Sequence, residues 1–260
     1  MAFPETVEVD FIAPRHLAGG GDPAWVTVPL HRASGWSHGD DSLLARVLPS
    51  SPDQKSLLRL EPDADGQGWT LSHAAEPDRP AWYASFGAHT PVELIAAVTD
   101  TLTAPTPNPA ASCDPYETLR QFAWSPPTIG GEGLVSPHGT AYVQRLGSAE
   151  NPGAWFAEAT LDPDRRPIWQ AHFDEHTPPH LVAAFTAALA DPKPLWRPSS
   201  RRGVPARAER VVTRRSIDVR TSLVAAALEI RVQSLAARRS SSPAGPIPQL
   251  RPAARDPRSR

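Results

Sequence analysis

Residues 80–105 and 167–192 align without a gap, at a constant offset of 87, and share 13 of 26 residues. A match of that density is internal duplication, and duplication restricts the fold to two copies of one supersecondary unit. Upstream the match loosens but keeps its anchors: Trp36-Ser37 with Trp124-Ser125, Ser51-Pro52-Asp53 with Ser136-Pro137-His138, Arg59-Leu60 with Arg145-Leu146, and Trp69 with Trp155. The copies run over 25–105 and 114–196, and the Pro/Ala/Asn/Ser-rich stretch 106–113 between them reads as a linker. Residues 1–24 form a lead-in and 197–260 a tail.

Each copy closes with a helix. Thr90-Pro91-Val92-Glu93 supplies an N-cap threonine, a proline at the first helical position and a capping-box glutamate, so the spacing starts the first helix at Thr90. Thr177-Pro178 repeats the signal in the second copy, with His180 in place of the glutamate. Leu94, Ile95, Val98 and Leu102, matched by Leu181, Val182, Phe185 and Leu189, fall at i, i+1, i+4 and i+8, one apolar stripe for a sheet to cover. Ahead of the helices, 56–60, 68–74 and 81–86 in the first copy, and 141–146, 154–160 and 168–173 in the second, are short, aromatic or β-branched and separated by turn signals. That pattern predicts antiparallel strands. The chain is expected to be α+β: two tandem antiparallel sheet-plus-helix repeats with a basic tail, helical in part and disordered in part.

Charge divides the chain after residue 196. Residues 1–196 hold 11 Lys/Arg against 24 Asp/Glu, while 197–260 hold 15 Arg against 4 Asp/Glu. A basic arm on an acidic body suits phosphate or the body itself. Nucleic acid bound through tail arginines such as Arg214 and Arg215 is one expectation, and self-neutralisation the other. Within the tail, 216–238 contains neither Gly nor Pro and spaces Leu223, Val224, Leu228, Ile230 and Leu235 as one helix. Its broad apolar face suits the body, a partner protein or self-association. The proline-rich remainder is expected to be disordered. No apolar run approaches the ~18 residues of a membrane span, and the acidic start lacks a cationic, apolar leader, so no membrane contact and a cytoplasmic location are expected.

The runs 13–30 (APRHLAGGGDPAWVTVPL), 35–41 (GWSHGDD), 51–69 (SPDQKSLLRLEPDADGQGW) and 80–97 (PAWYASFGAHTPVELIAA) resemble the SPDY domain of streptomycete proteins, over roughly 11–196. Ser51-Pro52-Asp53 carries the motif that names the family; Gln54 stands where the name has Tyr, and the second copy reads Ser136-Pro137-His138. The resemblance implies a domain of unknown function, commonly in two copies, in an actinobacterial, cytoplasmic protein. It brings no catalytic residue and no cofactor.

Candidate chemistry is sparse. The Ser-Pro-Asp and Ser-Pro-His triplets precede strands and read as turns; a catalytic serine needs an adjacent base, and no Gly-x-Ser-x-Gly elbow is present. His172, His176 and His180 look like a metal ladder, but Pro178 and Pro179 start a helix between them, and no metal is expected. Gly19-Gly20-Gly21 lacks the Gly-Lys-Ser/Thr of a phosphate loop and reads as a turn, as does Asp63-Ala64-Asp65-Gly66. Cys113, the single cysteine, excludes an intramolecular disulfide and lies in the linker without a local base. Of eight tryptophans, three pairs recur at matching positions: Trp36/Trp124, Trp69/Trp155 and Trp82/Trp169. Repetition argues for core, with a ligand groove lined by Trp36, Trp124, Trp82 and Trp169 as the alternative.

The leading expectation is a non-enzymatic binding or regulatory protein with no cofactor. The alternatives are a nucleic-acid-associated protein and a hydrolase using His and Asp of both copies. The hydrolase requires His73, His89, His172 and His176 to converge in one pocket.

Overall fold

The computed structural model describes residues 5–41, 46–63, 66–105, 114–127, 132–147, 153–161, 166–199, 204 and 206–240. The 106–113 linker with Cys113, and the segment 241–260, lie outside them. The first copy and its lead-in contain β1 (Thr6–Ala13), α1 (Ala24–Ser34), β2 (Ser37–Asp41), β3 (Arg46–Ser50), β4 (Ser56–Asp63), β5 (Gly66–His73), β6 (Trp82–Phe86) and α2 (Val92–Leu102). The second contains α3 (Pro115–Gln121), β7 (Leu134–Val135), β8 (Ala141–Arg145), β9 (Trp155–Ala159), β10 (Trp169–Phe173) and α4 (Pro179–Ala190). The tail adds β11 (Leu195–Pro198), β12 (Thr213–Arg220) and α5 (Thr221–Ser240). The fold is α+β, and among the described residues no helix is long and apolar enough to cross a membrane.

The two copies share one sheet. Nine strands pair antiparallel in the order β2-β3-β4-β5-β6-β10-β9-β8-β7, so each copy is a meander and the copies meet where β6 pairs β10. Alternate residues of these strands are apolar and buried: Trp82, Ala84 and Phe86 in β6, and Trp169, Ala171 and Phe173 in β10. The period of two puts them all on the face that the helices cover. Phe185 of α4 packs its ring 5.9 Å from Phe86 and 5.2 Å from Phe173, closing the seam between the copies. On the helix-covered face the inter-repeat seam is a packed interface, whereas on the opposite sheet face Trp69, Ser85, Gly87, Phe156, Gln170 and His172 line a depression of about 400 Å³ that spans both copies.

Helix entry differs from the capping expectation. The residues preceding α2 and α4 are Pro91 and Pro178, and neither helix has a side-chain cap. Thr90 Oγ1 instead donates to Gly87 O at 2.8 Å. Thr177 Oγ1 donates to Asp174 Oδ1 at 2.7 Å and to Tyr83 O at 3.2 Å. Pro91 and Pro178 are themselves extended, with ψ 126° and 128°, so each helix starts one residue later than expected and its threonine stands outside capping reach, bonded instead within the turn and to the strand.

The tail also differs. The helix expected over 216–238 begins only at Thr221, and 213–220 is the strand β12, paired with β1 from Thr6↔Arg220 to Ala13↔Thr213. Residues 216–219 alternate polar and apolar as a strand does, whereas the helical spacing starts at Leu223. β11 pairs the other side of β1, giving a three-stranded sheet β11-β1-β12. The lead-in and tail are therefore joined to each other, and α5 packs back on α1.

Candidate functional site

The four tryptophans considered as a groove fill the core instead. Trp36, Trp124, Trp82 and Trp169 are all buried, as are Trp69 and Trp155. Trp169 Nε1 donates to His16 O at 2.7 Å, and His73 stacks on Trp82 with ring centroids 5.4 Å apart. Of the four, Trp124 also borders a small cavity of about 130 Å³ beside His16 and Pro137. Arg214 and Arg215 lie on β12, with Arg214 Nε 3.7 Å from Asp10 Oδ2 and Arg215 exposed.

The Ser-Pro motifs are turns with a shared design. Ser51 Oγ accepts from the Ser56 amide at 2.8 Å, and Ser136 Oγ accepts from the Ala141 amide at 3.0 Å, each five residues on. The residue three past each serine is left-handed: Gln54 at φ 60° and Gly139 at φ 69°. Ser56 Oγ also lies 2.7 Å from His73 Nδ1, a contact that the second copy replaces with the paired alanines Ala141 and Ala159. Ser56 is buried, so this pair is a cross-strand bond rather than a nucleophile and its base.

His73 and His172 do not converge, since they lie on opposite faces of the sheet. His172 lies on the uncovered sheet face against Tyr83 and Phe156, His73 lies beside Trp82, and His180 is in the first turn of α4. Among the described residues no group of three or more His, Cys, Asp and Glu is placed to hold a metal ion.

The structure does assemble a cavity elsewhere, of about 340 Å³, where α1, the start of α2, β11 and α5 meet. Trp25 and Trp196 line it with an edge-to-face contact, ring centroids 6.4 Å apart and planes at 89°. Val92 adds to the apolar wall. Val224, Ala225 and Leu228 of α5, at i, i+1 and i+4 on one helix face, supply the outer side.

An ion pair forms the polar end. Arg197 Nη1 and Nη2 donate to the two carboxylate oxygens of Glu93 at 2.6 and 2.9 Å, and Nη2 donates to Gly19 O at 3.0 Å. The glycine run thus serves the site: Gly21 has φ +84°, and a Cβ there would stand 2.9 Å from Val92 Cγ2 and 3.1 Å from Arg197 Cζ. Glu93, expected to cap its helix, pairs with this arginine.

One residue holds the α5 wall in place. Arg231 Nε donates to Trp25 O at 3.0 Å, its Nη2 donates to Asp100 Oδ1 at 2.8 Å, and its guanidinium lies 5.2 Å from the Trp25 ring centre. Burial raises the Asp100 carboxyl above the ordinary aspartate range, with Arg231 opposing the shift. Farther out, Arg32 donates to both carboxylate oxygens of Glu229, and Arg239 donates to Ala33 O at 3.2 Å. Several tail arginines thus bind the body itself.

The reading of the tryptophans from repetition missed Trp25 and Trp196. Their signal was the lack of repetition: at the offsets of the neighbouring matches, 88 and 87, they fall on Cys113 and Pro109 of the linker, outside either copy. A large aromatic absent from one copy is not needed by the shared core.

Residues 50–108 and 135–195 match the family model SPDY, described as a domain of unknown function (DUF317), once in each copy. No curated protein and no solved structure matches the chain.

Proposed function

Given that the chain belongs to the SPDY-domain family and carries two tandem copies of a domain of unknown function, we propose that it is a non-enzymatic ligand-binding protein. The ligand is a small, flat, largely apolar molecule held between Trp25 and Trp196. The observation that carries this reading is the coincidence of two sets. The two tryptophans without a counterpart in the other copy are the two that line the cavity. At about 340 Å³ the cavity falls within the range of small-molecule sites, mostly apolar with a few placed polar groups. Arg197 and Glu93 neutralise each other and Asp22 is the further charged residue of the lining, so the site favours a ligand without negative charge. Because α5 supplies one wall, occupancy and α5 docking are coupled, which is a route to regulation.

The test uses the neutral fluorophore N-phenyl-1-naphthylamine as probe. Saturable binding with quenching of tryptophan emission is expected. Ala225→Trp, which fills the cavity from the α5 side, should weaken it by at least about tenfold while leaving the melting curve intact. Probe binding unaffected by Ala225→Trp would overturn the reading. A nucleic-acid role for the tail has less support, because Arg197, Arg207, Arg231 and Arg239 bind carboxylates or backbone carbonyls of the same chain.

A further inference from the structure

The strand β12 ends its sheet on an open edge. Of its eight residues, seven are exposed and only Val219 is half-buried. The Thr221 amide donates to Glu5 O at 3.1 Å, one step beyond the Thr6↔Arg220 pair, which sets the phase of the ladder. In that phase the odd-numbered residues of β12 exchange hydrogen bonds with β1. The backbone N–H and C=O of Arg214, Ser216 and Asp218 therefore point away from it, toward an edge that no strand among the described residues pairs.

Charge on an edge usually blocks pairing. Here its spacing is self-complementary. Two copies of a strand that pair antiparallel about a twofold axis must place one residue opposite itself, and residues equally far on either side then face each other. Centring on Ile217 would oppose Arg214 to the partner's Arg220. Centring on Arg215 would oppose that arginine to itself. Centring on Ser216 opposes Arg214 to the partner's Asp218, twice by symmetry, and sets no like charges face to face. On the other face, Ile217 then lies against the aliphatic stem of the partner's Arg215, and Thr213 against the partner's Val219. Ile217 is an exposed large apolar residue and borders an apolar depression formed with Phe11, Ala13 and Pro194. Pairing covers part of it.

We propose that the β12 edge is a self-association surface, with a second copy of this chain pairing antiparallel through Ser216 to give a continuous six-stranded sheet. The inference rests on the strand edge and is independent of the cavity.

Sedimentation equilibrium of the full chain at micromolar concentrations tests it, together with single cysteines placed at positions 215, 216 and 217 in a Cys113→Ser background. The expected result is a dimer that Asp218→Lys weakens by at least about tenfold, since two attractive pairs become repulsive. Circular dichroism melts should show Asp218→Lys folded, because the side chain is exposed. In a hydrogen-bonded antiparallel pair the Cα atoms are about 5.5 Å apart, within the range that a disulfide spans. Ser216→Cys should therefore cross-link on oxidation much faster than Arg215→Cys or Ile217→Cys. A monomer at every concentration, a dimer indifferent to Asp218→Lys, or fastest cross-linking at another position would each overturn the proposal.

Discussion

Ser85 faces His172 across the seam between the two copies, and under the repeat offset of 87 each is the other's equivalent. The flanking pairs Ala84–Phe173 and Phe86–Ala171 exchange under the same rule, so a pseudo-twofold axis passes through Ser85 and His172. The seam has the form of an isologous dimer interface within one chain. Beneath it the symmetry breaks, because Phe185 fills the axis where the first copy has the smaller Val98.

Phe86 and Phe173 sit on either side of that axis, fully buried and 5.6 Å apart edge to face. Phe86→Ala and Phe173→Ala should each destabilise the protein by about 3–5 kcal/mol. The double variant should cost less than the sum, since the rings touch. Urea melts of the three variants check both statements.

Arg231→Ala should loosen α5 without unfolding the body. It leaves the partly buried Asp100 without this partner and removes the hydrogen bond to Trp25 O, a local cost of about 1–3 kcal/mol. Hydrogen exchange should accelerate over 221–240 while β5, β6 and β10 stay protected. Equal protection in variant and wild type would remove Arg231 from this role.

His16 should make the protein acid-sensitive. It is buried with Nε2 2.8 Å from Thr140 Oγ1, and burial, followed by the charge of His138, lowers its pKa from 6.5 to about 3. Between those values the unfolded chain binds the proton and the folded one does not. Stability from this group thus falls as pH drops below about 6.5, with the loss complete near 3, at a slope approaching 1.4 kcal/mol, roughly, per pH unit. His16→Gln should flatten the dependence of the urea midpoint on pH between about 4.5 and 6.5. Parallel curves would mean that His16 is protonated in the fold.

Ending the chain at residue 196 should disrupt the body, although the repeats themselves end there. The cut removes all of β12 and α5 and leaves β11 with only Leu195 and Trp196, and so strips β1 of most of its pairing. It also removes Arg197 from Glu93 and Arg231 from Asp100. A broadened melt with a midpoint lowered by more than about 10 °C is expected. An unchanged midpoint would make the three-stranded sheet an ornament on an independent body.

The repeated units were legible in the sequence, although the capping of their helices was not. The duplication, six of the strands and the apolar stripes of α2 and α4 follow from offset and periodicity, because period two and period 3.6 are properties of the local backbone. The seam's symmetry follows from duplication only once β6 is known to pair β10, and that pairing was decided in three dimensions. So was the pairing of β12: residues 216–219 alternate as a strand does, but the partner β1 lies about two hundred residues away, and no local pattern reports a hydrogen-bond ladder closed over that distance. The cavity combines both kinds of information. Trp25 and Trp196 stood out as unrepeated rings, yet only the return of the tail onto α1 brings them together with α5 and places Arg197 on Glu93. Sequence determined the repeated scaffold because each unit carries its own hydrophobic period. Tertiary structure decided the candidate site because its walls come from chain segments that meet nowhere but in the fold.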